Sequence, residues 1–130
     1  MSTFGSIDIA RTGAGLSRTW LDAIAHNIAN TNTVNAPNEE PFRAKVVVAA
    51  ARSDGTGVDV AGIREVAGEP PKVYDPAHPL ADDKGLVTRP VVDLAGQMAD
   101  LIAAQRTYQA NLSVVRTGRE AYEEALRIGR

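Results

Sequence analysis

An α+β fold is predicted for this chain: long N- and C-terminal helices pairing as an antiparallel, coiled-coil-like hairpin, with a small β-rich insert between them. Three observations carry the prediction. Near both ends of the 130 residues, apolar and small side chains recur at alternating steps of three and four, the period of a helix with one narrow buried stripe. All seven prolines fall in the middle, where they bracket short β-branched runs. Two helices at opposite ends of one domain-sized chain bury their stripes most simply by running out and back. The divisions expected are residues 1–35, 36–90 and 91–130.

The first helix is expected from Ser6 to Asn30, with the stripe Ile7, Ala10, Ala14, Ser17, Leu21, Ile24 and Ile28. Ser6 is the expected N-cap, and Arg18 and Asp22 an i,i+4 pair. Gly13 and Gly15 lie beside the stripe, each costing about 0.8–1 kcal/mol relative to alanine in a helix interior, so the helix is marginal alone. It runs into HNIANTNTVNAPNEEPFRAK, His26 to Lys45. Asn27, Asn30, Asn32 and Asn35 are expected to stop it by taking left-handed backbone and capping the last carbonyls, with the threonines bonding nearby backbone. The stretch therefore reads as a rigid corner.

In the insert, FRAKVVVA would place Phe42, Ala44, Val46 and Val48 on one face of a first strand. Asp54-Gly55 supplies turn chemistry, VDVAGIREV is a second strand with Gly62 as its bulge, and KVY is a third. A turn at Asp83, Lys84 and Gly85 leads into LVTR, the fourth.

The second helix is expected from Leu94 to the C-terminus, with Asp93 as N-cap and a stripe of Leu94, Met98, Leu101, Gln105, Tyr108, Leu112, Val115, Arg119, Tyr122 and Leu126. At 1.5 Å per residue it forms a rod on the order of 50 Å long. Glu123 and Arg127 form a favourable i,i+4 pair. Gln105 and Arg119 either fix register and partner number or mark an exposed part of the stripe. Because this helix outruns the first by a turn or more, apolar positions lack an intrachain partner, which implies other chains.

Composition narrows the function. A net charge of -2 and a pI near 5.6 give no basic footprint, so no nucleic-acid partner is expected. The absence of cysteine removes thiol nucleophiles, thiolate metal sites and disulfides. No segment approaches the roughly 18 apolar residues of a membrane span, so no membrane insertion is expected. His26 and His78 lack a second ligand at metal-site spacing, and His78, between Pro76 and Pro79, is expected to make a local hydrogen bond. Asp82-Asp83 lacks the calcium-loop pattern, TGAGLSR lacks the third glycine of a phosphate cradle, and Asn111-Leu112-Ser113 falls within a helix. No nucleophile, base and orienting group can be assembled, so no catalytic residues, cofactor, metal or small-molecule substrate is expected. A dimeric interaction module or export adaptor, and a small enzyme with a cleft in the insert, remain open.

Four segments then carry a resemblance: IANTNT ending the first helix, PFRAK entering the first strand, VYDPAHPLADDKGLV before the second helix and QRTYQANLSVV within it. In that order they resemble the bacterial flagellar basal-body rod proteins, over nearly the whole chain. Ala29, Asn30 and Thr33 match an element shared by rod and hook proteins generally. Asp75, Pro76, His78, Pro79, Ala81 and Asp82 match one proximal rod subunit over the others, and Tyr108 to Asn111 match a further element. The resemblance implies a structural subunit of the proximal rod, the axial drive shaft and export channel. Such a subunit passes through the flagellar type III export apparatus without a cleaved signal peptide. It assembles in the periplasm with itself and other rod subunits, and its termini order only on incorporation. The expected assembly interface is Ile7, Leu21, Ile24, Ile28, Asn30 and Thr33 with Leu94, Leu101, Tyr108, Asn111, Leu112 and Val115. Heterologous, non-closing contacts between such surfaces generate a helical tube.

Overall fold

The structure, a computed structural model, describes residues 3–129. Helix α1 spans Thr3–Ala29 and helix α2 spans Leu94–Ile128, and between them lie strands β1 (Lys45–Ala51), β2 (Val58–Glu65), β3 (Lys72–Tyr74) and β4 (Leu86–Thr88). The strands make two separate antiparallel hairpins, β1–β2 and β3–β4. This is the predicted α+β arrangement.

The helices pair antiparallel. Ile7 meets Gly118, Gly13 meets Asn111, and Asn27 bonds Gln97. On α1 the predicted stripe is the buried one: Ala10, Ala14, Ser17 and Ile24 are buried, and Ile7, Leu21 and Ile28 half-buried. Two glycines set how closely the helices approach. A Cβ at Gly118 would stand 2.6 Å from Ile7 Cγ1, and one at Gly13 would stand 2.9 Å from the Asn111 amide.

On α2 the stripe is offset from the predicted one. Its protected positions are Gln97, Leu101, Ala104, Tyr108, Asn111, Val115 and Gly118, whereas Leu94, Met98, Gln105, Leu112, Arg119 and Leu126 are exposed. The reason is steric. An α1 face of alanine and serine is approached most closely by small or slim residues such as Ala104 and Gly118, which displaces the bulky leucines and Met98 to the flank. Ser6 lies inside α1 and is not its N-cap. Asp93 does hold the N-cap position of α2 with extended backbone, but its side chain makes no capping bond. Arg127 pairs with Glu124 at 2.9 Å, and not with Glu123.

At the C-terminus of α1 one of the four expected asparagines, Asn30, caps the helix together with Thr31, and the backbone differs from expectation. Asn30 Nδ2 donates to the His26 carbonyl at 2.8 Å, and Thr31 Oγ1 donates to that of Asn27 at 3.2 Å. Among the described residues no non-glycine has positive φ, so the corner closes without left-handed asparagine.

The β1–β2 hairpin lies along α1. Asn27 holds its base, and at its tip the Val58 N–H donates to Thr12 Oγ1 at 3.1 Å. The spans agree: seven strand residues and the fifteen helical steps from Thr12 to Asn27 both cover about 22–23 Å. At Gly57 the turn crosses Thr12 with no room for a Cβ. Pairing passes from Val48 opposite Gly62 to Ala49 opposite Val60, so the bulge falls where Gly62 predicted it, with Ala61 as the extra residue. The facing of β1 follows the prediction at Phe42, Ala44 and Val48, which are protected, and departs from it at Val46, which is exposed while Val47 is half-buried. Among the helices and strands, α2 packs on α1 alone, and α1 is the middle layer between α2 and the hairpin.

The second hairpin joins this body through a parallel bridge between Arg43 and Val91. The Ala44 N–H donates to the Val91 carbonyl and the Val91 N–H to that of Phe42, while the Arg43 guanidinium donates to the carbonyl of Gly68 at 2.7 Å. Ala44 and Val87 are buried there. The loop between β3 and β4 is held by its own side chains. His78 Nδ1 accepts from the Leu80 N–H, the local bond predicted for it. Asp82 Oδ1 accepts from the Leu86 N–H at 2.8 Å and the Lys84 N–H at 2.9 Å.

The Leu86 N–H, with a smaller contribution from Lys84, favours the charged carboxylate and holds Asp82 below its ordinary pKa of 3.8. The folded value lies below the unfolded one, so this stabilisation is complete above about pH 3.8 and is lost as pH falls through the folded value. Protection of the Leu86 amide, measured against its intrinsic exchange rate, should therefore fall as the carboxylate protonates in the parent chain. In Asp82→Asn, which keeps an acceptor but cannot titrate, this acid-driven step should vanish; an identical step in both would assign it to another group.

Candidate functional site

Two features stand out, one buried and one exposed. The buried one is Asn27, with no solvent exposure. Its Oδ1 accepts the Lys45 N–H at 2.7 Å, and its Nδ2 donates to the Lys45 carbonyl at 2.8 Å and to Gln97 Oε1 at 2.8 Å. One side-chain amide thus stands in for a neighbouring strand at the start of β1 while gripping the first turn of α2. It joins three elements that the chain brings together from 18 and 70 residues away. On the outer side of the corner His26 and Phe42 stack edge to face, with ring centroids 5.3 Å apart.

The exposed feature is the free flank of α2. Leu94, Met98, Ile102 and Leu112 all face solvent, Met98 at 51% and Ile102 at 54%, whereas Ala104 on the seam is fully buried. This flank adjoins the α1 seam along the same helix. Beyond Arg119 every described residue of α2 is exposed, because α2, at 35 residues, outruns α1, at 27.

The twelve residues expected to form the assembly interface divide between these settings. Ile24 is buried in the intrachain seam, and Ile7, Leu21, Leu101, Tyr108, Asn111 and Val115 are half-buried along it. Ile28 and Asn30 are half-buried at the corner, where Thr33 is exposed. Of the twelve, only Leu94 and Leu112 lie on the open flank. Sequence reasoning missed Asn27 and Gln97 as partners and did not place Met98 or Ile102 among the surface positions. One usable signal was present: Asn27 follows Ile24 by three residues, so it sits on the stripe. No helix is long and apolar enough to cross a membrane, and no group of three metal-ligating side chains occurs among the described residues.

Comparison with known proteins decides the family. Residues 85–128, which include β4 and all of α2, match the family described as flagellar basal body rod FlgEFG protein C-terminal. The chain is 37% identical to the flagellar basal-body rod protein FlgC of Escherichia coli O6:H1, an alignment covering 99% of each chain. The proteins of the same name from Salmonella typhimurium and Borreliella burgdorferi are 36% and 34% identical, covering 99% and 98% of each chain. The chain belongs to the FlgC family of flagellar basal-body rod proteins.

As an FlgC-family protein it is a structural component of the bacterial flagellar basal body, the role that its four quoted segments implied. The span shared with the wider rod family coincides with the helix that carries the open flank.

Proposed function

We propose that this FlgC-family chain is a proximal-rod subunit, polymerising through its helix pair, and that the flank Leu94, Met98, Ile102 and Leu112 is the surface that meets neighbouring subunits. The supporting observation is the one-sided packing of α2. A row of large apolar side chains faces water along a helix whose other side is already occupied, an arrangement that favours a further partner. The partners are copies of this chain and other rod subunits, reached after passage through the flagellar export apparatus. The chain acts as a part and not as an enzyme, in keeping with its membership of a rod-protein family.

The test is placement. Basal bodies isolated from cells whose own copy is replaced by a tagged chain should carry the tag on the periplasmic rod, and basal bodies without it would overturn the reading.

Assembly should also complete folding. The seam buries mostly alanine, serine and glycine, against an ordering cost of about 1–2 kcal/mol per residue. The corner, by contrast, is held by Asn27, Ile24 and the Val91 bridge. In the dilute free chain, hydrogen exchange should be fast over residues 3–12 and 112–128 and slow around residues 20–30 and 94–105. Uniform protection along both helices in the monomer would defeat this expectation.

A further inference from the structure

We infer that the outer edge of β1 pairs with the outer edge of β2 of a neighbouring copy, so that the hairpins continue as one antiparallel sheet from subunit to subunit. The inference rests on the rod reading above, and concerns a surface distinct from the α2 flank.

The β1–β2 sheet has only two strands, so each has an outer edge. On β1 the Lys45 N–H and C=O point outward, because both bond Asn27. Alternate residues of an antiparallel strand share that direction, so the backbone groups of Val47, Ala49 and Ala51 point outward as well. Among the described residues no hydrogen bond reaches them from that side. On β2 the Val58 N–H is taken by Thr12, and the matching outward positions beyond it are Val60, Ile63 and Glu65.

Edge strands ordinarily carry lysine, proline or an inward-pointing charge that prevents pairing. Between Lys45 and Arg52, β1 has none: the run is Val-Val-Val-Ala-Ala-Ala, and most of it is exposed. Such an edge suits strand addition, where main-chain bonds supply the affinity.

Charge selects the occupant. The β1 run is bounded by two cations, Lys45 and Arg52, while β2 carries Asp59 near its start and Glu65 at its end, with Arg64 beside it. Pairing β1 with another β1 would bring cationic ends together, and pairing β2 with β2 would do the same with carboxylates. Pairing β1 with a neighbour's β2, in the register of the hairpin itself, joins Val47 to Ile63 and Ala49 to Val60, the positions that Asn27 and Thr12 leave open, and places the Lys45 and Glu65 side chains at the same end. It also brings Arg52 towards Asp59, of which only Oδ1 is used within the chain. That pairing is heterologous, so it propagates around an axis, whereas like-with-like pairing stops at a dimer.

The chain has no cysteine, which allows a clean test. Cells co-expressing Ala49→Cys and Val60→Cys as separate chains cannot form this crosslink within one subunit. Basal bodies from them, treated with a mild oxidant or a short bis-maleimide, should yield a crosslinked dimer that neither variant yields alone. Basal bodies that contain both variants and give no dimer overturn the edge pairing and leave the rod reading intact. Absence of the wild-type chain from basal bodies overturns both.

Discussion

Asn27→Ala is expected to destabilise the corner by about 3 kcal/mol. The substitution removes three hydrogen bonds at once and leaves the Lys45 N–H, the Lys45 carbonyl and Gln97 Oε1 without their partner. A group left unsatisfied in a buried setting costs about 1–3 kcal/mol, and the costs of neighbouring groups do not simply add. Gln97→Ala should cost about 1 kcal/mol, because Asn27 Nδ2 then keeps its bond to the Lys45 carbonyl. The measurement is urea unfolding followed at the corner, comparing midpoints at constant slope. A shift for Asn27→Ala no larger than for Gln97→Ala would show that the amide does not join the three elements.

The second large effect is on assembly. Met98→Asp combined with Ile102→Asp should abolish incorporation into rods while leaving the monomer's helicity and thermal midpoint unchanged. Both residues are about half exposed, so the free chain loses little packing when they change. In a docked subunit the two carboxylates would be driven into an apolar contact. A penalty of about 3 kcal/mol there weakens each contact about a hundredfold. Because every copy in the tube carries the defect, motility should be lost. Normal motility in the double variant would remove this flank from the interface.

Much of the architecture was legible in the chain. The α1 stripe could be read because small and apolar residues keep helical steps from Ile7 to Ile28, and the bulge because a glycine interrupts a strand that alternates around Val58, Val60 and Ile63. The α2 stripe was read correctly at Leu101, Tyr108 and Val115 and one position aside elsewhere, since ranking positions by hydrophobic bulk favours Leu94, Met98 and Leu112 over Gln97, Ala104 and Gly118. Close approach to a face of alanines reverses that ranking. Val46 and Val47 could not be told apart because three consecutive valines contain no alternation. The facing of that strand follows from Asn27 binding Lys45, a contact 18 residues distant in sequence. Asn27 was itself read as a terminator because it sits in a run of asparagines, of which Asn30 does cap the helix. Its partners are non-local and leave no mark nearby.

The layering of hairpin, α1 and α2 has a mechanical consequence. Since α2 packs on no strand, a twisting load taken up by its outer flank has two routes to the β-rich insert. The seam of alanine, serine and glycine offers small contacts that shear easily. The Asn27 amide and the backbone bonds linking Phe42 and Ala44 to Val91 are directional and resist displacement. In a rotating shaft the insert would therefore follow α2 mainly through the stiff coupling at the corner, while the Val58 to Thr12 bond ties the hairpin tip to α1 alone.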